Sequence, residues 1–190
     1  MNAVTEIERP GTINGIDVGG VMRLVEHVAA DPKAGMTNWR VATQWQGQTH
    51  SRTTVEGFGM NGAWIARPFA IDIDEPNELG GANRFANPQE YLMAALNACM
   101  TVGYAAQCSL RGIRLDSLEI VTEGEIDLRG FFGLSQDVPP GYESLSYTVR
   151  IKGDATEEQF AEVHAAVMAT SPNFYNIANA ITLNSTLVVE

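Results

Sequence analysis

Both cysteines of this 190-residue chain, Cys99 and Cys108, lie in one apolar stretch, NPQEYLMAALNACMTVGYAAQC, from Asn87 to Cys108. A thiol offers nucleophilic and redox chemistry, but only when a nearby cation holds it as the thiolate. The stretch reads as one helix from about Pro88 to Arg111. Asn87 suits the N-cap, Pro88 the first helical position, and Glu90 closes a capping box; Gly112 stops the helix. On an intact helix the two thiols point to nearly opposite sides, about 13.5 Å apart along the axis. A disulfide needs Cα atoms within roughly 7 Å. A redox pair is therefore excluded unless the helix breaks near Gly103 or two chains pair across an interface. Each thiol is then either a small apolar side chain in a packed helix or an active nucleophile. Arg52 and His50, two residues apart in THSRTT, face the same way on a strand and could each supply charge or a hydrogen bond. His27, His50 and His164 fall on separate elements without ligand spacing, so no metal site is expected. GGANRF lacks the strand–G-x-G-x-x-G–helix setting of a nucleotide site, and no cofactor is expected.

The elements that must position these groups can be read from periodicity. Residues 1–13 read as loosely held. Residues 14–35 form a helical leader: Asp17 caps a helix with Val18, Val21, Met22, Val25 and Val28 on one face, and DPKAG ends it. WRVATQW and HSRTTVEGF are strands about a turn at Gln46–Gln48, and WIARPFAIDID is a third strand with Pro68 favouring an edge. A turn-rich loop, EPNELGGANRFANP, leads into the cysteine helix. LDSLEIVTEGEIDL and LSYTVRIKG are strands flanking a loop. DATEEQFAEVHAAVMAT is an amphipathic helix, starting at Asp154–Ala155, with Phe160, Val163, Val167 and Met168 inward. SPNFYNIAN is a short irregular or helical piece, and AITLNSTLVVE closes the chain as a strand. The order gives an α+β class with a largely antiparallel sheet and a single domain over 14–190.

Composition limits the partners. The chain carries 12 Lys and Arg against 23 Asp and Glu, a net charge of -11. Such a surface repels phosphate backbones and anionic membranes, so neither nucleic acid nor membrane is an expected partner. Tyr91–Ala106 is shorter than the ~20 apolar residues of a membrane span and is broken by Asn97. The opening MNAVTEIERP has no basic region followed by an apolar run, and a cytoplasmic location is expected.

DEPNELGGANRFANPQEYLMAALNAC, then SLRGIRLDSLEI and TSPNFYNIANAITL, together resemble the OsmC/Ohr family, and a longer branch of it, over roughly residues 14–190. The resemblance implies antiparallel sheets wrapped around central helices in an intertwined homodimer. It implies reduction of organic hydroperoxides by a reactive cysteine, held as a thiolate by an Arg and a Glu and regenerated by an external thiol or dithiol. Carried over by position, Cys99 matches the reactive cysteine, Glu90 the carboxylate and Arg52 the guanidinium, with His50 as a further donor. Glu90 competes between this role and helix capping, and would act on the partner chain's thiol. Leu92, Met93, Leu96, Phe174 and Tyr175 would shape the substrate pocket. The second, resolving cysteine of the family belongs where Ser171 stands, and Cys108 cannot replace it. A one-cysteine peroxidase is thus expected. The alternative is a non-catalytic dimer that binds a small apolar or acidic ligand between subunits.

Overall fold

An Asn–Gly pair opens the described part of the chain. The computed structural model describes residues 11–190, so most of the N-terminal segment expected to be loosely held lies outside the described residues. Asn14 and Gly15 take positive φ values of 51° and 75°, the two-residue hairpin turn these residue types favour. They join Thr12–Ile13 (β1) to Ile16–Asp17 (β2). Residues 12–17 are therefore a small hairpin rather than loose chain or helix. The leader helix α1 runs Val18–Ala30 on the cap Asp17, whose carboxylate accepts the Gly20 N–H, and a 3₁₀ turn follows at Pro32–Gly35.

The described chain falls into two compact units, one of residues 13–16 and 93–190, the other of 11–12 and 17–92. In the second unit, Ser51–Met60 (β5) is the central strand. Thr37–Trp39 (β3) and Ala42–Trp45 (β4) pair with it along one edge, and Ala63–Ile73 (β6) along the other, all antiparallel. The strand expected over 39–45 is split at Arg40–Val41. Those residues lie across from Val55–Gly57, where the β5–β6 register shifts because β6 carries one extra residue, Arg67 and Pro68 standing against Glu56 alone; a bulge disrupts the ladder locally and increases the twist. Pro68 falls in the same irregular stretch of β6, which pairs only with β5 among the described strands, so no ladder bond is lost to its missing N–H. The only buried apolar side chain among this unit's described residues is Ala34. Trp39, Trp45, Trp64 and Phe69 are exposed, Trp45 at 76 %.

The core belongs to the first unit. The helix α2, Pro88–Leu110, is stopped at Gly112, which has φ +76°. Its Leu96, Met100, Tyr104 and Cys108, spaced four apart, make one buried stripe. Val163 and Val167 of α4, Glu157–Thr170, fill the other side. Leu115–Glu123 (β7) and Ser146–Gly153 (β8) pair antiparallel, and the inward residues Leu118, Ile120, Tyr147, Val149 and Ile151 pack on that stripe. A one-turn helix α3, Leu128–Phe131, interrupts the connecting loop, and α5, Pro172–Ala178, follows α4. Asn14 anchors the hairpin: its amide donates to Ser109 Oγ at 3.0 Å and the Ile113 carbonyl at 2.9 Å, and accepts the Leu115 N–H.

Further sequence expectations need correction. The strand expected over 115–128 ends at Glu123. The N-cap of α4 is Thr156, in a capping box with Gln159, not Asp154–Ala155. Asp154 is instead spent accepting the Arg114 N–H across the end of the strand pair. The closing segment 180–190 is not a strand. A strand needs a ladder partner, and this segment has none among the described residues; its Leu183 is 88 % exposed and Leu187 87 %.

Candidate active site

Two groups of polar side chains stand out, one in each unit. In the first, Cys99 sits on α2 one residue before Met100, about 100° around the helix from it, on the flank of the buried stripe. It is partly exposed and free, whereas Cys108, in the stripe, is fully buried and free. Burial pushes the Cys108 thiol above its ordinary range. Ser171, only 5 % exposed, donates its hydroxyl to Cys99 Sγ at 3.3 Å. The same oxygen caps α5 by accepting the Phe174 N–H, so the hydroxyl proton is left for the sulfur. Asn173 ties α5 to α2 by donating to the Ala95 carbonyl at 2.9 Å. Phe174 packs edge-on against Tyr147. The segment that carries Ser171 is thereby pinned at three points around the sulfur.

In the second unit, β5 and β6 place Arg52 directly across from Asp72. The pair is bidentate: Arg52 Nε donates to Asp72 Oδ1 at 2.9 Å and Nη2 to Oδ2 at 2.8 Å. His50 Nε2 lies 2.9 Å from the same Oδ1, with its ring stacked on Phe85. The Arg52 guanidinium and the His50 ring together hold the Asp72 carboxyl down at about pKa 2, and Asp72 in turn raises Arg52. Tyr91 fixes the strand beneath by donating to the Asp72 carbonyl at 2.8 Å.

These groups stand on a fold with known relatives. Residues 80–186, more than half of the chain, match the family model for OsmC-like protein. The chain belongs to the OsmC-like family. Among solved structures, this OsmC-like chain is similar to the OsmC-like protein from Mycoplasma pneumoniae, at 14 % identity and a TM-score of 0.57, over 74 % of this chain and 87 % of that one. It is also similar to a protein assigned to osmotic-stress-induced and detoxification responses from Psychrobacter arcticus 273-4, at 13 % identity, TM-score 0.55, over 74 % and 87 %. A third is the OsmC-like protein of unknown function from Vibrio cholerae O1 biovar eltor, at 11 % identity, TM-score 0.51, over 73 % and 92 %. At these identities the likeness carries the α+β fold with antiparallel sheets. No curated protein matches the chain.

The remaining predicted site residues of this OsmC-like chain are placed as follows. Glu90 closes the capping box: its Oε2 accepts the Asn87 N–H at 2.7 Å while Asn87 Oδ1 accepts the Glu90 N–H at 2.9 Å. Within the chain, the carboxylate on Arg52 is Asp72 and not Glu90, because strand register sets Asp72 opposite while the cap occupies Glu90. Leu96 is in the core stripe, Phe174 packs against that core, and Leu92 and Tyr175 are exposed. Sequence reasoning missed Asp72, although WIARPFAIDID places it at the end of a strand whose partner carries Arg52. It also missed Asp74, which is 1 % exposed and organises the loop before α2. Asp74 accepts from Thr49 Oγ1 at 2.7 Å and from the N–H groups of Glu75, Ala82 and Arg84. Chiefly the Thr49 hydrogen bond keeps its carboxyl down at about pKa 2. Among the described residues no cluster of three or more His, Cys, Asp or Glu could hold a metal ion. No described helix is long and apolar enough to cross a membrane.

Proposed function

We propose that this OsmC-like chain reduces organic hydroperoxides as a one-cysteine thiol peroxidase, working as a homodimer. The observation that carries the reading is the Ser171 hydroxyl on Cys99 Sγ at 3.3 Å, on a free and partly exposed thiol. A hydroxyl donor at sulfur stabilises negative charge there. In the reaction, the Cys99 thiolate attacks the distal oxygen of the hydroperoxide and the O–O bond breaks. The alkoxide leaves, takes a proton and departs as alcohol, and Cys99 becomes the sulfenic acid. The resemblance gives Arg52 the part of polarising the peroxide. With a hydroxyl at 171, no second thiol stands at that position to resolve the sulfenic acid. One external thiol displaces water to give a mixed disulfide, and a second releases Cys99 and leaves as disulfide.

The homodimer is supported by what a single chain leaves uncovered. Within the β3–β6 sheet four large aromatic side chains are exposed, and so, in the other unit, are Leu183, Leu187, Val188 and Val189 of the C-terminal segment; large exposed apolar side chains in such number mark surfaces that a partner covers. A second copy pairing with 180–190 would supply the missing ladder.

The test is consumption of cumene hydroperoxide with dihydrolipoamide as reductant, in wild type and in Cys99→Ser. The expected result is loss of the enzymatic rate to the uncatalysed background, with Cys108→Ala close to wild type. Equal rates for wild type and Cys99→Ser would overturn the peroxidase reading and favour a non-catalytic, ligand-binding dimer. Sedimentation is expected to give twice the mass of the chain.

A further inference from the structure

We propose that Asp72 is the positioning residue for Arg52 in this chain, a strand carboxylate doing what the resemblance assigns to the helix carboxylate Glu90. The inference rests on the peroxidase reading above and adds to it the group that sets the guanidinium. Three observations carry it. Arg52 and Asp72 are cross-strand partners in the β5–β6 register, so the backbone fixes their spacing. Both of Asp72's oxygens are bound to the guanidinium, at 2.9 and 2.8 Å, and a bidentate fork locks the plane of an arginine as a single bond cannot. Glu90 is already occupied by the helix cap.

The pair is also unequal in exposure. The Arg52 side chain is 52 % exposed while Asp72 is 17 %. The carboxylate is therefore the seated partner, and the guanidinium keeps an open edge, with Nη1 outside the two bonds to Asp72, from which it can meet a substrate oxygen. His50 Nε2 shares Asp72 Oδ1 with Arg52 Nε and so helps to hold the carboxylate. Removing Asp72's charge frees the guanidinium to rotate and leaves its position to solvent. A misplacement of about 1 Å in such a group costs up to about a hundredfold in rate.

A double-mutant cycle on the full-length protein reads this directly. The rate constant for oxidation of Cys99 by cumene hydroperoxide is measured in wild type, Asp72→Asn, Arg52→Ala and the double variant, beside the rate of Cys99 alkylation by iodoacetamide. Asp72→Asn is expected to slow oxidation roughly tenfold to a hundredfold, and to change alkylation less than oxidation. In an Arg52→Ala background it is expected to change nothing further, because it acts through Arg52. Asp72→Glu keeps the charge and is expected to recover part of the rate. Losses that add in the double variant, or oxidation and alkylation slowed equally, would overturn the proposal and leave the peroxidase reading intact. A wild-type Cys99 that hydroperoxide does not oxidise would overturn both.

Discussion

Ser171→Cys is expected to turn Cys99 from a thiol that needs an external partner into one that resolves itself. Ser171 Oγ and Cys99 Sγ are 3.3 Å apart, and a disulfide closes at about 2.05 Å between sulfurs. The longer C–S bond of the new side chain and a small χ1 rotation cover the difference without moving α2. The supporting framework survives the change, since Asn173 still holds the Ala95 carbonyl and Phe174 still packs on Tyr147. What is lost is the hydroxyl cap of α5, at about 1 kcal/mol. On treatment with one equivalent of cumene hydroperoxide, intact mass under non-reducing conditions should show the loss of two hydrogens in nearly all molecules. Peptide mapping should place the bond between positions 99 and 171, with Cys108 still reduced. Wild type under the same conditions should show one added oxygen and no bond. A variant that keeps three free thiols after peroxide would sink the idea, because it would mean the sulfur at 99 either does not form a sulfenic acid or does not face 171.

The helices and most strands were legible because each carries a local signal. Asn87, Pro88 and Glu90 announce the start of α2 within four residues, and the capping bonds are found as those types dictate. The Asn14–Gly15 turn was equally local and was taken into the helical leader, because the strands it joins are only two residues each, too short for an alternating pattern to show. Non-local features were harder. Asp72 matters through its register against Arg52, and a strand read alone does not say which residue lies opposite. Ser171 was singled out by motif, but its contact with Cys99 depends on how α5 docks on α2, which no spacing within 171–179 encodes. The closing segment alternates like a strand, and period-two patterning is a statement about faces, not about partners. Without an edge to pair with in its own chain it stays irregular and exposed. The cysteine helix shows the limit from the other side: it is apolar nearly all round, so composition could not say which thiol faces in. Only the packed stripe of 96, 100, 104 and 108 separates Cys108 from Cys99.

That stripe supplies the second large effect. Met100→Ala is expected to cost about 2–5 kcal/mol of folding stability, equivalent to a fall of roughly 4–20 °C in Tm for a chain of this length. Met100 is 0 % exposed and lies among Leu96, Tyr104, Val163 and Val167, with the β7–β8 face behind them. Truncation therefore removes buried methylene and sulfur contacts and leaves a cavity that neighbours on three elements cannot easily close. Two of those neighbours are themselves constrained. Tyr104, whose hydroxyl is bonded to His164 Nδ1 and whose burial pushes its pKa up to about 12, cannot swing inward without breaking that bond. Val167 already lies against the helix backbone, 3.1 Å from where a side chain at Gly103 would begin. Val102→Ala on the same helix is the matched control. Val102 is 68 % exposed in the single chain, so truncation there should change stability by no more than about 0.5 kcal/mol if water covers it. Urea denaturation of both variants separates the cases. A Met100→Ala loss under 1 kcal/mol would contradict the core described above. A Val102→Ala loss approaching that of Met100→Ala would mean the outer face of α2 is covered in solution, as a second copy of the chain would cover it.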